Sequence, residues 1–219
     1  MISALILLFA FTTLYMSATS RIQAYIKIVA LQGVILFLIL FFRADNIFNF
    51  NFIFLAVETL LVKAVVIPSF LSSVLGKSAT LRESDPRIPN FYSLVICSVM
   101  LFSGFIISNL HSDIFEQITP LYFGISISTI FISLFIITTK KNILTHVVGY
   151  IMMENGIFLL SLSVAKEMPM VVNMGVLLDL FIAVFILGLF ISRINSAFEE
   201  TDIHSLTSLK DYGQDSDDD

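Results

Sequence analysis

The sequence predicts an all-α, polytopic membrane protein of about seven transmembrane helices, with its N-terminus outside and its C-terminus in the cytoplasm. Composition is the first observation: 57% of the 219 residues are hydrophobic and 13% are charged, with a mean hydropathy of +0.94. Soluble domains average ~45–50% apolar and ~25% charged. Run length is the second, because the apolar residues come in stretches near the ~20 that cross a ~30 Å hydrocarbon core. The third is the placement of Lys and Arg. One set of loops carries Arg21, Lys77, Arg82, Arg87, Lys140 and Lys141, with Arg193 and Lys210 beyond the last helix; the opposite set carries Arg43 and Lys166. Cytoplasmic loops are enriched in basic residues, which sets the direction.

The helices are expected near 1–16, 22–42, 51–75, 91–110, 119–139, 142–165 and 169–193. The first, MISALILLFAFTTLYMS, lacks a basic leader and a small-residue cleavage site, so it reads as a retained helix rather than a signal peptide. Residues 1–75 form an N-terminal three-helix unit. The segment 76–90, GKSATLRESDPRIPN, has the prolines, serines and mixed charge of a cytoplasmic linker. A connecting helix and outer loop occupy 91–118. A second three-helix unit fills 119–200, and 201–219 is a solvated acidic tail ending DYGQDSDDD. The two units look alike: Gln32-Gly33 in YIKIVALQGVILFLIL corresponds to Asn155-Gly156 in HVVGYIMMENGIFLLSL, about 120 residues on. Glu58 and Asp179 correspond at nearly the same offset. One helix between the copies gives both the same membrane direction, a parallel repeat. Each polar–Gly pair is expected to allow close helix approach and an interhelical hydrogen bond.

Three acids interrupt the apolar runs: Glu58 in NFIFLAVETLLVKAVVIPSFL, Glu154 in VVGYIMMENGIFLLSLSV and Asp179 in VVNMGVLLDLFIAVFILGLFIS. A carboxylate at the bilayer midplane costs roughly 2.5–3.5 kcal/mol on insertion scales, and such groups commonly face a bundle interior or line ion paths. His146, Tyr150 and Glu154 follow at i, i+4 and i+8, with His146 and Glu154 ~80° apart around the axis and ~12 Å apart along it. A titratable ring, a phenol and a buried acid in sequence are candidate steps of a proton wire, or else a packing stripe. Asp179, at a depth near that of Glu154, is a candidate partner for it; two such carboxyls cannot both ionise cheaply in low dielectric. Glu58 and Lys63 are five residues apart, ~140° around an α-helix, so the spacing predicts that each finds its partner on another helix. Pro68 frees a backbone carbonyl and allows a kink nearby. Lys27 is near enough to a helix end to snorkel.

Some chemistry is excluded. Cys97 is the one cysteine, and His111, His146 and His204 fall in separate segments. A single thiol holds neither an iron–sulfur cluster nor an internal disulfide. No cofactor, metal or catalysis is expected of this chain alone, and no nucleic-acid partner.

The stretches KNIL…GYIMMENGIF, the acid in the middle of the last helix and the exit DIHSLTSLKD resemble the E component of hydrogenase-4 and formate hydrogenlyase-type complexes. More distantly, the C-terminal half is similar to the K subunit of respiratory complex I and the C subunit of Mrp-type sodium/proton antiporters. FLAVETLLVKAVVIPSFL resembles the N-terminal half of the hydrogenase-4 component. The resemblance implies a non-catalytic membrane-arm subunit in a prokaryotic inner (plasma) membrane, surrounded by lipid. Its implied neighbours are antiporter-like subunits, a hydrogenase membrane anchor and a redox arm of nickel–iron and iron–sulfur proteins. It also implies that Asp179 takes the place of the last-helix glutamate of K subunits. Glu154 departs from the other glutamate's place by about three residues after Gly149, nearly one turn, which keeps the face and changes the depth. Lys63 and Glu58 would extend the same buried charge.

Overall fold

Apolar length dictates the helices. The computed structural model describes residues 1–43, 50–76, 88–110 and 120–164, with Gly175. All belong to a unit spanning Met1–Gly175; Gly175 aside, the helix expected at 169–193, with Asp179, lies outside the described residues. In chain order the helices are α1 (Ile2–Ala18), α2 (Ile22–Arg43), α3 (Phe50–Val57), a π-helical segment (Glu58–Val66), α4 (Ile67–Gly76), α5 (Asn90–Leu110), α6 (Pro120–Thr139) and α7 (Ile143–Val164). Helix α3, the π segment and α4 run on as one rod. Among the described residues, five helices are long and apolar enough to cross a membrane: Ile22–Arg43, Phe52–Ser73, Asn90–Leu110, Pro120–Thr139 and Leu144–Ser163. Helix α1 is apolar but shorter, at 17 residues. Among the described residues the fold is all-helical. The direction across the bilayer rests on the loop charges.

Tight turns make two helical hairpins. Between α1 and α2, Thr19 adopts an extended conformation that ends α1, and the Tyr25 hydroxyl donates to the Thr19 carbonyl at 2.6 Å. Between α6 and α7, the Asn142 side chain accepts the Leu144 N–H at 2.9 Å, an N-terminal cap. Helix α6 carries Ser126, Ser128, Thr129 and Ser133 inward, and each hydroxyl returns to a carbonyl three or four residues back. Those donors are thus satisfied without water, so a polar face packs dry.

Helix α2 packs against α1, the π segment, α4 and α7, while α6 packs against α5, α7 and α1. Small residues set the α5–α6 crossing. Gly104 and Ser108 on α5 meet Gly124, Ser128 and Pro120 on α6, with Ser108 Oγ donating to the Pro120 carbonyl and Ser128 Oγ reaching the Met100 carbonyl at 3.2 Å. This is a small-xxx-small interface of the kind that lets membrane helices approach closely. The outer face of α5 stays exposed, with Phe91, Val99, Phe102 and Leu110 pointing away from the bundle.

Helices α2 and α7, the second helices of the two units expected from the sequence to be alike, both have 22 residues. They run parallel: Gln32 pairs with Asn155, and further along Arg43 donates to the Leu162 carbonyl. The two polar–Gly pairs noted in the sequence therefore meet, Asn155 Nδ2 donating to Gln32 Oε1 at 3.3 Å. Arg43 also lies over the Tyr122 ring, 5.8 Å from its centroid, tying the end of α2 to the start of α6.

Candidate functional site

The third rod departs from α-helical geometry where its charged residues lie. Pro68, the second residue of α4, has no N–H for the Ala64 carbonyl, and its ring crowds that carbonyl. The wide turns of the π segment end just before it. A π-helix bonds residue i to i+5, so residues five apart stack instead of diverging. Glu58 Oε1 and Lys63 Nζ lie 3.9 Å apart, both buried. This corrects the expectation that the two could not pair on one helix: ~140° of separation holds for α-helical turns, and these turns are wider. Thr59 closes the junction by bonding its hydroxyl to the Leu55 carbonyl at 2.7 Å.

Close approach to α2 fixes the segment's position. A Cβ on Gly33 would sit 2.9 Å from the Ala64 nitrogen and 3.0 Å from the Lys63 carbonyl carbon. Only glycine lets the two backbones pack this tightly. The Lys63 ammonium in turn lies over the Phe158 ring of α7, 5.2 Å from its centroid, within range of a cation–π attraction. Glu154 lies one turn before Phe158 on the same face of α7 and is 6% exposed. A buried acid–base pair on the third rod, an aromatic ring and a buried acid on α7 thus form one stripe. Sequence reading found Glu58, Lys63 and Glu154. It missed Phe158, whose one signal was its position four residues after Glu154, and it missed the π geometry.

A polar belt crosses the bundle beside Glu154. Asn155 donates to Gln32, Gln32 Nε2 donates to Thr12 and Thr13 at 3.2 and 3.3 Å, and both threonine hydroxyls donate to the Phe9 carbonyl. Gln32 and Asn155 are fully buried. An interhelical hydrogen bond in a membrane averages about 0.6 kcal/mol and reaches about 1–2 in model peptides. Gln32→Leu or Asn155→Leu is therefore expected to destabilise modestly, and the double variant by less than the sum, because each single change strands the other amide. Unfolding of the purified protein in detergent, followed by circular dichroism, measures this cycle; strict additivity would show that the amides do not interact.

The other candidates sit nearer the α6–α7 turn. His146 Nε2 lies 2.8 Å from the Lys140 carbonyl. A carbonyl only accepts, so that nitrogen carries the proton and the ring fastens the turn. Tyr150 is half-buried between His146 and Glu154. Lys140, counted from sequence among the solvated loop cations, is instead 2% exposed, with Nζ 3.2 Å from Asn90 Oδ1. Its neighbour Lys141 is exposed. Asp179 lies outside the described residues.

No family model and no solved structure matches the chain. The chain is 26% identical over 195 residues to the uncharacterized protein Rv0085 of Mycobacterium tuberculosis, covering 87% of each. It is 25% identical over 122 residues to hydrogenase-4 component E of Escherichia coli, and equally to that of Shigella flexneri, covering 56% of each chain. Apolar helices of spanning length, a buried acid–base stripe and this partial match point to a membrane protein distantly related to hydrogenase-4 component E.

Proposed function

We propose that the chain is a non-catalytic membrane-arm subunit of a complex I-like assembly, of the energy-converting, membrane-bound hydrogenase kind. In this reading Glu58, Lys63, Glu154 and Asp179 belong to a buried charged path for protons or sodium ions. Tyr150 and His146 lie toward its end at the α6–α7 turn. Hydrogen chemistry belongs to nickel–iron and iron–sulfur partner proteins, and antiporter-like subunits and a membrane anchor are its neighbours in a prokaryotic plasma membrane. The observation that carries the reading is the ion pair in the π segment. π turns occur frequently at functional sites, and this one places a lysine between Glu58 and the face of α7 that bears Glu154. A chain of alternating charge can respond to a proton arriving at one end by shifting the pairing of the next.

The test is Glu154→Gln combined with Asp179→Asn in the assembled complex. Assembly is expected to persist while electron transfer no longer drives ion translocation across sealed vesicles. Normal coupling in the assembled variant would overturn the ion path. A second reading, a spacer subunit whose buried charges only fix helix register, is favoured by the fact that Lys63 finds its counter-ion on its own segment. It predicts the reverse outcome: less complex, with unchanged coupling in what assembles. Proteins that co-purify in mild detergent distinguish a hydrogenase from an Mrp-type antiporter as the parent assembly.

A further inference from the structure

A groove of about 350 Å³ opens between α1 and α2, lined by none of the residues of the charged stripe. Phe11, Thr12 and Tyr15 line it from α1, and Ala24, Lys27, Ile28 and Leu31 from α2. The two helices are antiparallel, so the lining is graded along the membrane normal. Tyr15, Ala24 and Lys27 lie toward the α1–α2 turn, Ile28 follows Lys27 directly, and Phe11 and Leu31 lie deeper. The polar end carries two groups that the bundle leaves unused. Lys27 is exposed, and among the described residues neither its ammonium nor the Tyr15 hydroxyl makes a hydrogen bond or ion pair. Arg21, also exposed, stands at the same end in the turn.

Lys27 is five residues inside α2, about 8 Å from the helix start, a depth from which its stem reaches back to the headgroup layer. An apolar trough with a cation and a hydroxyl at its interfacial end matches one kind of molecule: an acyl chain below an anionic headgroup. We propose that this groove is a binding site for an anionic phospholipid, its acyl chain lying against Phe11, Ile28 and Leu31 and its phosphate held by Lys27 and Tyr15. Basic pockets between membrane helices are known to hold anionic headgroups. A zwitterionic lipid fills the trough equally well but offers the ammonium no net charge. This site is independent of the ion-path reading, because none of its residues belongs to the charged stripe.

The experiment uses the full chain, purified and delipidated in mild detergent, with native mass spectrometry after adding phosphatidylglycerol and phosphatidylcholine in equal amounts. Phosphatidylglycerol adducts are expected to dominate. Lys27→Gln should lower them about fivefold, the effect of one basic residue at a membrane surface, and leave phosphatidylcholine adducts unchanged. Ala24→Phe, which fills the trough, should lower both. Lys27 is exposed, so its variant is expected to melt with the wild type. Equal binding of the two lipids by wild type would overturn the proposal, as would undiminished phosphatidylglycerol binding by Lys27→Gln. So would a photo-crosslinker at position 27 that captures another polypeptide and no lipid in native membranes.

Discussion

Replacing Lys63 by methionine is expected to destabilise the protein by about 3–5 kcal/mol, the range seen when one partner of a buried ion pair is removed. Methionine fills the volume of the lysine stem, so lost packing contributes little. The cost arises because Glu58, 7% exposed and 3.9 Å from the missing ammonium, loses its counter-charge. Glu58→Gln alone is expected to destabilise in the same way from the other side. The double variant Glu58→Gln, Lys63→Met should recover most of the loss, because replacing both members of a buried pair is often close to neutral. Melting temperature and yield in detergent, measured across the four proteins of the cycle, provide the check. A double variant as unstable as Lys63→Met would show that the two charges are not each other's main partners. Phe158→Leu, which removes the ring under the ammonium, should cost less than either single charge change.

The same four proteins bear on function. If the double variant folds and assembles but no longer couples electron transfer to ion movement, Lys63 and Glu58 serve the path. If it also couples normally, the pair fixes only the position of the third rod, and the path reading retreats to α7 and Asp179.

How far the sequence foretold this arrangement follows from which physical signals are local. Helix length is a local signal: runs such as FIFLAVETLLVKAVVIPSFLSS or PLYFGISISTIFISLFIITT reach spanning length whatever packs against them. The polar–Gly pairs were legible too, because an amide beside a glycine has few uses inside a bundle other than close approach. Gln32 bonds Asn155, and Gly33 touches Ala64. The π segment was not legible. ETLLVKAVV reads equally well with α or π spacing, and Pro68 signals a disturbance without its kind. Burial of Lys140 was hidden as well: in KKN nothing local distinguishes the lysine held by Asn90 from its exposed neighbour. For His146 the helical spacing aligned the ring with Glu154, whereas the nearer Lys140 carbonyl across the turn accepts the ring's Nε2–H. Asn90 lies 50 residues from Lys140, beyond any local pattern; the π turns and the His146 contact are local in sequence, but spacing alone does not choose between α and π turns or between two nearby partners.

Gly104→Val is expected to damage the bundle more than any other single glycine replacement on α5, α6 or α7. A Cβ there would overlap Ser128 Oγ and lie 2.7 Å from the Gly124 carbonyl oxygen. The serine hydroxyl can rotate away, though it then gives up its bonds to the Met100 and Gly124 carbonyls. The Gly124 oxygen is backbone and yields only if α5 and α6 separate. Overpacking a filled interior costs typically 1–3 kcal/mol and occasionally more; a contact against rigid backbone belongs at or above the top of that range. Gly149→Ala is the contrast: its Cβ would meet Ile137 Cγ1 at 2.8 Å, a clash with one stiff β-branched side chain but with no backbone, so its cost should be smaller. Adding Ser128→Ala to Gly104→Val should restore little, because the Gly124 carbonyl remains in the way. Melting temperatures of the three variants in detergent test the ordering. If Ser128→Ala fully rescues Gly104→Val, the crossing is limited by the hydroxyl and not by the approach of the two backbones. Separation of α5 from α6 would also loosen α6 from α7, the helix that carries Glu154 and Phe158. Gly104→Val is therefore expected to weaken assembly even though it lies on a different helix from every residue of the charged stripe.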